Sequence, residues 1–314
     1  MKAIPPRNVA EELAALDARI KDLLPDRYLH CYTDVSPTSM GSATLKYGPD
    51  GKVAWDQIWT TFCDLALAGG PPHRGKLMEP VKKAEAEADP ARTAEVAAEI
   101  SRAVGLTAGI STVPDAEPNW IGVPCSSAEE AAWLQFAVTA ENVSARRLGK
   151  VLRLPVGPAF RPEKEIKNVT VALTKSSHYW DGHLSSAQQK LGGTFAWEPA
   201  TPDEVDSNPA AYEASLSAMR TALEAVGKPL VVGRYTGWIG VETSGEDEAV
   251  WLLRAILVDR VLARREENVL YLPVVAPANE EHQARVAWSY RRACELWTAS
   301  APKRTAWRWS EFKG

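Results

Sequence analysis

The chain has 314 residues, 45% of them hydrophobic and 24% charged, and a formal net charge of −4. That length and balance predict about two soluble domains with a buried core, and a negative chain without a long lysine/arginine block excludes the electrostatic footprint of a nucleic-acid binder. Cys31, Cys63, Cys125 and Cys294 lie far apart without a CxxC pair, so neither a zinc knuckle nor a disulfide framework is signalled and a reducing cytoplasm is the expected compartment.

Within residues 1–30 an amphipathic pattern follows Pro5-Pro6 and carries Glu and Lys throughout, so it reads as a helical segment and not as the apolar core of a secretion signal. The apolar run AVWLLRAILV at 249–258 is too short to cross a bilayer, and no membrane association is expected. In YTDVSPTSMGSATLKYG, residues 32–48, Asp34, Ser36, Thr38 and Ser39 lie close together. Hydroxyls at this density suit a phosphate, or a metal beside Asp34, and equally suit an ordinary loop.

AWDQIWTTFCDLALAG, residues 54–69, has helical periodicity and is stopped by Gly69-Gly70 and Pro71-Pro72. His73-Arg74-Gly75-Lys76 is not needed for that stop. Arg74 and Lys76 would suit an anion and His73 a proton transfer as general acid or base, whereas the structural alternative is an exposed loop. Leu77 stands where a phosphate-binding P-loop needs Ser or Thr.

Residues 120–156 align without a gap on residues 238–274, with 19 identities in 37 positions at a shift of 118. The chain therefore carries two copies of one supersecondary unit. In each, WIGV reads as a strand; Ser126 or Ser244 is an N-cap with Glu129 or Asp247 completing a capping box; the helix runs over roughly 126–148 or 244–266; and VLRLPV or VLYLPV follows as a buried strand. Hairpins precede WIGV, helical runs at 90–105 and 210–227 precede the hairpins, and ATLKYGP (43–49) and GTFAWEP (193–199) read as leading strands.

The predicted order is βαββαβ, a ferredoxin-like α+β unit, each copy with a further helix at roughly 164–180 or 280–298. The expected organisation is a helical segment over 1–30, a first lobe over 31–185 and a second over 186–314 with a Trp-rich tail, the lobes related by a pseudo-twofold axis.

Arg146-Arg147 and Arg264-Arg265 recur in the predicted last helical turn, where cations bond free carbonyls; Arg146 and Arg264 are also candidates to converge on one anion. In HYWDGH, residues 178–183, His178, Asp181 and His183 are admissible metal ligands, with a further ligand needed from elsewhere, such as His30 or His73; the matching CELWTAS of copy two has no histidine. Cys125, at a helix start, is either an activated thiol or a small core residue. Trp120/Trp238, Trp133/Trp251 and Trp180/Trp297 recur between copies and read as packing, while Trp307 and Trp309 lie outside the repeat.

Two functional readings follow. One is an anionic small-molecule binder, catalytic or not, with its site in an inter-lobe cleft built mainly from lobe one. The other is a non-catalytic accessory subunit that docks a protein partner, with a homo-oligomer compatible with both. No cofactor is specified.

Overall fold

The computed structural model describes residues 8–26, 44–58, 65–193 and 197–311, with the backbone alone over 301–311. Helix α1 (Val9–Leu23) starts at Asn8, whose side chain accepts the Glu11 N–H, and buries Leu16, Ile20 and Leu23 at the spacing of one helical stripe. Single 3₁₀ turns at Trp55–Gln57 and Ala66–Ala68 occupy the ends of the helix predicted over 54–69, whose residues 59–64 lie outside the described set. The glycine stop holds: Gly69 has φ 107°.

From there one succession of elements occurs twice. It is first α2 (Lys83–Ala88), α3 (Pro90–Ala108), β1 (Val113–Pro114), β2 (Trp120–Pro124), α4 (Ala128–Ala140), β3 (Arg146–Leu148), β4 (Val151–Pro155) and α5 (Lys167–Gly182). A short α6 (Ser186–Lys190) intervenes. Then come α7 (Pro202–Ser207), α8 (Pro209–Glu224), β5 (Leu230–Tyr235), β6 (Trp238–Glu242), α9 (Glu246–Leu257), β7 (Arg264–Glu266), β8 (Val269–Pro273) and α10 (Glu280–Glu311). The resulting α+β fold has two four-stranded antiparallel sheets, ordered β1-β2-β4-β3 and β5-β6-β8-β7.

The 118-residue shift runs through the register: Trp120 faces Pro155 as Trp238 faces Pro273, and Arg146 faces Arg153 as Arg264 faces Tyr271. The likeness extends into the caps, there at a shift of 119, because α3 and α8 both begin at a proline preceded by a residue at ψ 74°, Asp89 or Asn208, whose side chain accepts the N–H three residues on. It extends into aromatic packing as well. Trp133–Trp180 and Trp251–Trp297 meet at 5.7 and 5.6 Å with interplanar angles of 46° and 49°.

Two expectations are corrected. Among the described residues the leading strand of a βαββαβ, ferredoxin-like order is not formed: the described part of 43–49 makes only an isolated Tyr47–Val53 bridge, and residues 197–199 are irregular. A leading strand in that order is central, but β2 and β6 already have neighbours on both sides, β1 and β4 or β5 and β8. The helices also stop about two turns early, at Ala140 and Leu257, because Asn142 and Arg260 adopt left-handed φ of 61° and 63° and end the helical hydrogen-bond ladder. Arg146-Arg147 and Arg264-Arg265 therefore lie on strands. The capping contacts sit one residue further on, with Glu130 and Glu248 accepting from Ser126 and Ser244.

Strand alternation explains the layers. Ile121, Val123, Leu152 and Leu154 in the first sheet, and Ile239, Val241, Leu270 and Leu272 in the second, are buried on one face beneath the helices. Each such side chain contributes roughly 1.5–3 kcal/mol. The opposite face carries Trp120, Arg153 and Arg146, or Trp238, Tyr271 and Arg264. At its centre are Gly122 and Gly240, where an added Cβ would come within 2.8 Å of Val113 or 2.9 Å of Val269. No helix among the described residues is long and apolar enough to cross a membrane.

Candidate functional site

The stretch over 65–78 wraps the C-terminal end of α4. Glu141, fully buried, accepts the Ala66 N–H at 2.9 Å through Oε1 and the His73 N–H at 2.6 Å through Oε2, while the Lys175 ammonium lies 3.0 Å from Oε2. The Asn142 amide donates to the carbonyls of Arg74 and Arg265, both at 2.8 Å, and so ties this stretch to β7 of the other copy.

The loop then covers the outer edge of β7. Arg265 donates to the Gly70 carbonyl at 3.0 Å, and the Leu77 N–H donates to Glu266 at 3.0 Å. All three β7 residues are buried. Of the four residues for which an exposed loop is the alternative, His73 and Arg74 are half-buried and Gly75 and Lys76 are exposed, while 65–70, 77 and 78 on either side are buried.

His73 accordingly lies in a packed environment, its Nε2 3.0 Å from Asn168 Oδ1. Burial, and after it the Lys175 ammonium, lower its pKa to about 3. A ring neutral at physiological pH carries one N–H, here facing Asn168 Oδ1, and is a far weaker general acid than an imidazolium. Arg74 donates Nε to the Lys76 carbonyl, and burial lowers its pKa. Asp34, Ser36, Thr38 and Ser39 lie outside the described residues.

Arg146 and Arg264 do not converge on one ligand. Arg264 is fully buried, 4.0 Å from the Tyr271 ring centroid, 4.6 Å from Tyr235 and 5.0 Å from Trp238, with NH1 bonded to Asn142 at 3.0 Å and Glu266 at 2.8 Å. Arg146 instead pairs with Glu198 at 2.7 Å and Glu204 at 2.9 Å, residues that precede and begin α7. Between Trp120 and Trp238 lies a void of about 20 Å³, room for one water.

The open concavity lies at the edge of the first sheet. A groove of about 360 Å³ is lined by Arg146, Arg147, Leu148, Trp197, Glu198 and Val275. Leu148 is 73% exposed at the tip of the β3–β4 hairpin, where Gly149 takes the positive φ of 59° that the tight turn requires. The Arg147 N–H donates to Glu198 at 3.0 Å.

At the end of α5, His178 and His183 bring their Nε2 atoms to 3.2 Å, and both rings are exposed with Asp181. Among the described residues no group of three or more His, Cys, Asp or Glu is placed to hold a metal ion. The Cys125 thiol donates to the Val123 carbonyl, and burial pushes its pKa up to about 12, the opposite of an activated nucleophile.

Sequence reading missed Glu141, Lys175, Glu198 and Glu266. Two were accessible: Glu141 and Asp259 are acids at the 118 shift, and Lys175 and Arg292 are cations at the 117 shift that relates Trp180 to Trp297. In copy two the same pair recurs, Asp259 meeting Arg292 at 3.3 Å, with Arg19 of α1 at 2.7 Å. No family model, curated protein or solved structure matches this chain.

Proposed function

We propose that this chain is a non-catalytic binding protein that docks an extended peptide segment of a partner protein along β3. The observation that carries the reading is the contrast between equivalent edges: β7 lies beneath residues 65–78 of its own chain, whereas β3 borders the open groove. An edge strand with an open flank is a template for an added extended chain. The proposal treats the lobes as repeats related by a pseudo-twofold axis, so that the cover on β7 describes what β3 would accept.

The exchanged side chains specify the occupant. Arg147 holds the place of Arg265 in the repeat and lines the groove beside Leu148. Leu148 replaces Glu266, so an apolar guest side chain belongs opposite Leu148, beside Trp197. Two arginines face two glutamates in the lining, which supplies no net attraction for an anion. The anionic-ligand reading has less support, since the void between Trp120 and Trp238 is far below the roughly 300 Å³ of a small-molecule pocket and the groove, which reaches that size, is charge-balanced.

Peptide display against the full chain tests this. Selected peptides should bind in extended form with an apolar residue at a fixed position. Leu148→Asp should abolish binding, whereas Leu106→Asp, at another exposed leucine, should not. Peptides indifferent to Leu148→Asp and Arg147→Ala would overturn the proposal. So would a dimer in light scattering that Leu148→Asp dissociates, because the occupant would then be a second copy of this chain.

A further inference from the structure

We propose that His178 and His183, at the C-terminal end of α5, chelate one divalent transition-metal ion between their Nε2 atoms. Zinc–imidazole bonds of about 2.0–2.1 Å at a tetrahedral angle put two ligand nitrogens roughly 3.3–3.4 Å apart. The two Nε2 atoms stand at 3.2 Å. The bite of a chelate is therefore present without the ion, so the side chains need little ordering on binding.

The local backbone creates this approach. His178 is on the last full turn of α5, and His183 is its C-cap, at φ −123° and ψ −13°, with its N–H still bonded to the Tyr179 carbonyl at 3.0 Å. The terminating turn swings the second ring back over the first, giving a 5.0 Å centroid separation at 70°, while Tyr179 stacks on His183 at 4.6 Å. Tyr179 is buried, so it anchors the His183 ring.

Asp181, exposed between the two histidines in sequence, adds negative charge near the site without being a ligand. Solvent supplies the other positions, which makes the site open and exchangeable. The proton shared between the two Nε2 atoms must leave that position for binding, moving to Nδ1 of its own ring, so that each Nε2 offers a lone pair. Copy two cannot do this: at the 117 shift Glu295 and Ser300 replace the two histidines. The class of ligand is a borderline, imidazole-preferring ion such as Zn²⁺, Ni²⁺ or Cu²⁺.

Titration calorimetry with zinc chloride and nickel chloride on the tag-free full chain tests the proposal. One ion per chain should bind, and His178→Ala or His183→Gln should each weaken it by at least ~10-fold with the melting temperature in the absence of metal unchanged. Copper bound to the wild type should show two equatorial nitrogens by electron paramagnetic resonance, and one in either variant. Absence of binding, or binding that survives both substitutions, would overturn the site.

Discussion

Strands β7 and β3 hold the same place in two sheets of identical order, yet one is enclosed and the other borders a groove. The difference arises from outside the repeat. Copy one is preceded by residues 65–78, whose carbonyls and N–H groups meet Arg265 and Glu266; at β3 the Arg147 backbone N–H is taken by Glu198, while the Leu148 side chain is exposed beside the groove. Enclosure changed the chemistry of the strand it covered. Once water is excluded, Arg264 requires three aromatic rings, Asn142 and Glu266, whereas Arg146 at a half-open edge is matched by two carboxylates reachable from solvent. The two sheets share one strand order, and residues 65–78 meet the side chains of only one of the two edge strands.

The largest test strikes the anchor of that segment. Lys175→Met leaves the Glu141 carboxylate buried without its cation and should destabilise by about 3–5 kcal/mol in urea unfolding. Arg292→Met leaves Asp259 with Arg19 and Ser289 and should cost about 1 kcal/mol. Equal losses would mean that the loop adds nothing to the first pair. Arg264→Met should follow at about 2–3 kcal/mol, against about 1 kcal/mol or less for Arg146→Met, whose carboxylates stay partly solvated.

Gly122→Ala and Gly240→Ala sharpen the comparison from the other side. Both insert a methyl against a cross-strand valine, so each should cost about 1–3 kcal/mol, and a marked inequality would break the likeness of the sheets where the register says they agree.

The enclosure also predicts a pH effect. His73 is lowered to about 3 in the fold from an ordinary 6.5, so between those values the unfolded chain binds a proton that the folded chain does not. Stability therefore rises with pH through that window and is lost on acidification, by up to about 1.4 kcal/mol per pH unit. His73→Gln should flatten the slope of urea midpoint against pH between 6.5 and 4. A slope shared by both proteins would assign it elsewhere. The smallest expected effect is that of Leu148→Asp, within about 0.5 kcal/mol, because its side chain is exposed at a hairpin tip.

Much of the scaffold was legible because repetition is a comparison within one chain. WIGV, the following helix and the VLxLPV strand lie where the alignment puts them. The last turns of those helices were misread because RRLGK and RREEN keep helical composition, and only the left-handed Asn142 and Arg260 end the ladder. The groove was not legible at all: Arg147, Trp197 and Val275 come together through tertiary packing that no local pattern encodes. No local pattern around His73 indicates that the buried Glu141 gathers the loop around itself.

The cover on β7 makes the two repeats unequal in time as well as in space. Its contacts join residues 189 and 195 positions apart, Leu77 to Glu266 and Gly70 to Arg265. On the ribosome the covering segment emerges long before the strand it protects, so copy two can complete its edge as soon as it is made. A truncated chain beginning at copy two would carry the repeat but not its shield, and would present β7 as an adhesive edge to its neighbours. Copy one, by contrast, carries its open edge into the finished molecule.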